Sequence, residues 1–291
     1  MAPVTDRAAT GSTDDAVDLR ADTTGHLASL AVALVFGGAL TAAARAGSIP
    51  LLVGVAVLQG VLILGWAFSI GLPGARGSIL VAAAAAGGSD FAVMHWQHGR
   101  LGTLLPVLGL AVPVMFVHQL ARGAARVSLV RSLSGVACLV VSVVALPALI
   151  QLRHEFPPAQ LGNHVTSAVV GAAAAGLVVG YLVDMMTAVP RFDPDVPRGL
   201  LALIAAGAVG GSVGYLMLRG ETEFASGRGT FVGAAAGVLA GLFAIAGAFA
   251  MYGLPASASR WATLLRPVVP VLLALSILAP EAFLLCLAIR N

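Results

Sequence analysis

Nine long apolar runs follow one another along the chain, at roughly 27–44, 49–71, 78–95, 101–120, 132–151, 162–188, 199–218, 229–253 and 267–288. Each is close to the about 20 helical residues needed to cross a hydrocarbon core about 30 Å thick. Backbone amides in lipid find no water, so each run must satisfy its own amides as a helix. The two-residue alternation of an outer-membrane barrel strand is missing. The expected fold class is therefore all-α: a polytopic transmembrane helix bundle of about nine spans, filling residues 26–291.

Composition argues against a soluble alternative. Of 291 residues, 59% are hydrophobic and 10% are charged, against about 25% charged in an ordinary soluble domain. No soluble fold of this size hides that much apolar surface. All sixteen basic residues are Arg, and Lys is absent. That excludes P-loop and Schiff-base chemistry, both of which use a lysine. The arginines stand singly in loops, with no basic stripe interleaved with aromatics, so nucleic acid is not an expected partner. Cys138 and Cys286 lie inside apolar runs and read as small core residues. No nucleotide-binding glycine loop, HExxH or GxSxG occurs, and no cofactor is expected.

Residues 1–25 are rich in Ala, Thr, Ser and Asp and cannot build a core. They read as a disordered acidic tail. A signal peptide would start with a basic flank, whereas this flank is acidic; the small-residue site Ala44-Arg45-Ala46 keeps cleavage open. Arginine asymmetry then gives an orientation. The tail and the loops after the even-numbered runs hold ten arginines, and the opposite side holds six. The N-terminus is expected in the cytoplasm, the C-terminus outside, and the protein in the plasma (inner) membrane. Arg122, Arg126 and Arg131 form the densest basic loop, suited to anionic lipid headgroups.

Membrane helices gain little from hydrophobic drive and associate through small residues. Gly229, Gly233, Gly237 and Gly241 recur at every fourth position of the eighth run, leaving a groove. Helices six to eight are expected to form a tight sub-bundle. Pro106, Pro113, Pro147, Pro270 and Pro280 should kink or end their helices.

The polar exceptions are the functional candidates. In "SDFAVMHWQHGR" (89–100), Asp90 sits inside a span, where an ionised acid costs several kcal/mol unless hydrated or paired. His95 and His98 follow one turn apart, and His154 and His164 fall on the same expected side, with Glu155, Glu221 and Glu223. Such a set suits a zinc or copper ion, proton relay, or simply a solvated rim. Near the other side, Asp184 has Tyr181 one turn earlier, and Arg191 or Arg198 in the following loop. Asp90, Asp184 and Tyr181 are thus candidates for a substrate or proton site. Gln59 and Gln119 read as interhelical hydrogen-bonders.

The acidic tail, Ala- and Gly-rich spans and arginine loops together resemble uncharacterised multi-pass membrane proteins of actinobacteria; the resemblance implies a helical bundle and no particular activity. "GSVGYLMLRGETEFASGRGTFVG" (211–233) is distantly similar to phosphatidate cytidylyltransferases, but their signature needs lysines and a downstream acidic and basic motif that this chain lacks. The expected function is non-enzymatic: a transport component or the partner of another membrane protein. The rival is an integral-membrane enzyme or metal-handling protein using the outer His and Asp residues.

Overall fold

The computed structural model describes residues 24–71, 74–96, 100–121, 129–186, 199–224, 227–252 and 260–290. Among these residues nine helices are long and apolar enough to cross a membrane. They are α1 (Thr24–Ala46), α2 (Ser48–Ile70), α3 (Ala75–His95), α4 (Leu101–Ala121) and α5 (Ser132–Glu155), then α6 (Ala159–Met186), α7 (Leu200–Leu218), α8 (Arg228–Met251) and α9 (Trp261–Arg290). Residues 24 and 25, read as the end of the tail, belong to α1. The rest of the acidic tail lies outside the described residues.

Two links among the described residues are very short. Gly47 alone joins α1 to α2, at φ 126°, a conformation that L side chains rarely adopt. Phe156–Pro158 joins α5 to α6. α1 and α2, and likewise α5 and α6, therefore double back on each other. One end of the bundle, the C-terminal end, brings together Trp96 and Thr103 with Gln151, His164 with Glu221, and Arg290 with Glu155 and Glu223.

α9 is the central post. It packs against α2, α5, α6 and α8. From Val268 to Ala279 nearly every residue is buried, as expected of a helix apolar on all sides. α4 is peripheral: it packs against α3 and α5 and turns Leu110, Phe116, Val117 and Leu120 outward.

The prolines act differently from one another. Pro106 and Pro270 fall in the first turns of helical segments and break nothing, because amides there have no intrahelical acceptor anyway. Pro113 and Pro280 sit inside continuous helix. Pro147 interrupts α5, which turns at Leu146–Pro147 and resumes at Ala148. A second break, at Arg266–Pro267, divides α9; there the Arg266 side chain donates to the Met251 carbonyl at 2.8 Å, placing a cation on the last turn of α8.

α6, α7 and α8 approach backbone to backbone. A methyl group at Gly210 would run into the Gly233 carbonyl, one at Gly214 into the Gly229 carbonyl, and one at Gly237 into the Ala206 carbonyl. At Gly176 of α6 it would come within 2.9 Å of the Gly237 Cα. Glycine on both sides of a crossing is what permits such proximity. Gly241, at the far end of the row, faces side chains rather than backbone, the tip of Leu203 at 3.0 Å and the Ala206 Cβ at 3.9 Å.

Candidate functional site

Two polar neighbourhoods stand out among the described residues, and one begins with a proline. Pro147 has no N–H, so the Val143 carbonyl, four residues earlier, loses its intrahelical donor. Gln59 of α2 supplies the missing bond: its Nε2 donates to the Val143 oxygen at 2.9 Å. The same nitrogen donates to Asp90 Oδ1 of α3 at 3.1 Å. One buried amide thus ties three spans together. Asp90 has this neutral partner and no cationic one among the described residues. It lies five residues before the end of α3, about 8 Å along the axis at about 1.5 Å per residue.

Closer to the C-terminal end, the same α3–α5 seam holds Gln151, which is 0% exposed. Its Nε2 donates to the Trp96 carbonyl at 3.3 Å and to Thr103 Oγ1 at 3.0 Å. Its Oε1 is buried without a donor, and so is Nδ1 of His154 one turn on without a partner.

The second neighbourhood is the rim of the C-terminal end. His164 Nδ1 lies 2.6 Å from Glu221 Oε1. Arg290 reaches Glu155 Oε1 at 3.2 Å and Glu223 Oε2 at 3.6 Å, with its guanidinium 5.4 Å from the Phe156 ring centroid. These contacts bind the end of α9 to the α5–α6 and α7–α8 links. A cavity of about 260 Å³ lies beside them, lined by Pro157, Pro158, His164, Glu221, Thr222 and Glu223 among others. Arg290→Met should cost only about 1 kcal/mol in a reversible unfolding assay, since partly exposed ion pairs contribute about 0–1 kcal/mol.

The expected outer set is therefore only partly assembled. His164 meets Glu221, and Glu155 and Glu223 share Arg290. His95 is exposed and stacks on Phe91, with ring centroids 4.1 Å apart. His98 lies outside the described residues. Among the described residues no three His, Cys, Asp or Glu side chains form a group fit to hold a metal ion. Both cysteines are free, Cys286 buried and Cys138 half-buried.

At the opposite end, Asp184 Oδ1 accepts from the Gly199 amide at 2.8 Å, fastening the end of α6 to the start of α7. Tyr181 is buried, its ring edge-on to His26 of α1 at 6.0 Å. Arg191 and Arg198, its expected neutralising residues, lie outside the described residues, as do Arg122, Arg126 and the Arg131 side chain. Gln119, the other expected hydrogen-bonder, donates to Ser132 Oγ at 3.0 Å.

Two polar positions escaped the sequence reading. Gln151, the last residue of the fifth apolar run, is wholly buried. Glu281 is exposed on α9 directly after Pro280, and a lone acid inside an apolar run was the available signal. No protein-family model matches the chain, and no curated protein or solved structure does. The nine long apolar helices among the described residues are compatible with a multi-pass membrane protein.

Proposed function

We propose that the chain is a non-enzymatic transport component of the plasma membrane, in which Asp90 reversibly binds a proton or small cation. The observation that carries this reading is a carboxylate set within a membrane span, held by one neutral amide and by no cation among the described residues. An ionisable group in that position is expensive and marks ion and proton pathways more often than packing. A carboxylate with a single neutral donor changes charge without breaking an ion pair, as a coupling site must. The arginine asymmetry supports an orientation in which the C-terminal end, and so the near side of Asp90, faces outside. Asp184 plays the lesser part, because its oxygen is engaged by the Gly199 amide at a link between helices.

The test is proton flux into vesicles holding the full chain and a trapped pH dye, under an imposed potential. Wild type should acidify the lumen, and Asp90→Asn should slow this by roughly a hundredfold, the scale of losing a positioned proton acceptor. Asp184→Asn should leave it near wild type. Flux no greater than in empty vesicles, or full flux in Asp90→Asn, would refute the reading.

The exposed face of α4 favours a second reading, docking to another membrane protein: only 17% of its most apolar window is buried, against 72% for α6. A purified chain that stays single in nanodiscs and still conducts protons would count against a partner being required. Arg122, Arg126 and Arg131 would meanwhile hold anionic headgroups; vesicles with and without anionic lipid would show this as a difference in retention.

A further inference from the structure

We infer that His154 and Gln151 form the proton-uptake route from the C-terminal end of the bundle to Asp90. This rests on the transport reading above and names its cargo, the proton, and its path. Both side chains occupy the last two turns of α5. That helix meets α3 twice: deep, where Gln59 joins Val143 to Asp90, and shallow, where Gln151 joins the Trp96 carbonyl. Between bundle end and carboxylate lie two orphaned polar atoms, Gln151 Oε1 and His154 Nδ1.

A buried carbonyl oxygen without a donor is costly to leave unsatisfied. It can only accept, and both N–H groups of Gln151 are already spent on Trp96 and Thr103. Water is the small donor that relieves such a site. The charged neighbours are otherwise engaged: Arg153 donates to Asn163, Glu155 accepts from Arg290, and His164 is paired with Glu221. On α3, His95 is exposed and stacked on Phe91; on α9, Glu281 is exposed; α2 carries no charged residue. Among the described residues, His154, one turn beyond Gln151 on α5, is left as the titratable group without a hydrogen-bond partner at Nδ1.

The step balances simply. A hydronium ion gives its proton to a ring nitrogen of His154, leaving water and an imidazolium. The imidazolium releases a proton through water held on Gln151 Oε1 to the Asp90 carboxylate. The products are neutral imidazole and a carboxylic acid.

Time-resolved infrared spectroscopy of the full chain after a sudden pH drop would test this. The carboxylic-acid band of Asp90 is identified as the one missing from Asp90→Asn. His154→Leu and Gln151→Leu should slow its appearance by roughly a hundredfold, with unchanged final amplitude, and added imidazole should restore the rate in His154→Leu. His154→Gln keeps size and hydrogen bonding but cannot titrate, so it should stay slow. A wild-type rate in His154→Gln or Gln151→Leu would overturn the route alone. An Asp90 that never takes up a proton in wild type would overturn the transport reading and the route together.

Discussion

Gly233→Ala should destabilise the protein by about 3 kcal/mol or more, the upper part of the range for overpacking, and Gly233→Leu should prevent α7 and α8 from docking. The reason is what the new side chain meets. A Cβ at Gly233 would run into the Gly210 carbonyl while lying 2.8 Å from the Gly214 Cα and 2.9 Å from the Gly214 nitrogen. All three are backbone atoms and cannot rotate away, so the helices must separate. Separation is costly here because close contact, rather than expulsion of water, holds membrane helices together. Gly87→Ala is the matched control, since nothing lies within 4 Å of a Cβ there; it should be neutral or mildly stabilising through helix propensity. Reversible unfolding in mixed micelles reads both. Equal stability of Gly233→Ala and Gly87→Ala would show that the α7–α8 approach is not what holds this half together.

Gln59→Leu should cost about 3 kcal/mol or more, although leucine is far better suited to lipid than glutamine. The substitution strands two acceptors at once, the Val143 carbonyl and Asp90 Oδ1, and each buried group without a donor costs about 1–3 kcal/mol. Adding Pro147→Ala returns an amide to the position four residues after Val143. It should recover about 1 kcal/mol in the Gln59→Leu background while contributing less than that in wild type. An unchanged difference across this double-mutant cycle would mean that Gln59 and Pro147 act independently. The same cycle separates architecture from transport, because Pro147→Ala leaves Asp90 untouched.

The spans themselves were legible from the chain. Their helical form follows from the need of an amide in hydrocarbon to bond within its own segment, their lengths from the thickness of the hydrocarbon core, and the arginines in their links from the cost of a charge inside it. Those constraints are local, so a linear reading captures them, and the nine helices begin and end within a few residues of the apolar runs, save for the start of α9, where Trp261–Leu265 precede the break at Pro267. The glycine row on α8 was equally visible. What it faces was not, because Gly210 and Gly214 become its counterpart only when α7 turns back at the right depth.

Site chemistry divides along the same line. The oddity of Asp90 is a property of sequence: an acid inside a span must be explained. Its partner is a property of the fold. Gln59 lies 31 residues before it and 84 before Val143, and nothing along the chain links a proline's missing amide in α5 to a glutamine three helices earlier. The outer histidines show the converse. Shared depth made them look like a set, yet depth is one coordinate of three, and rotation about each helix axis turned His95 outward onto Phe91 while bringing His164 to Glu221. How many helices are fit to cross, and what each must satisfy within itself, could be read along the chain because those demands are met inside one segment; which polar groups meet between segments was settled by packing, because that depends on how rods of fixed length are turned and stacked.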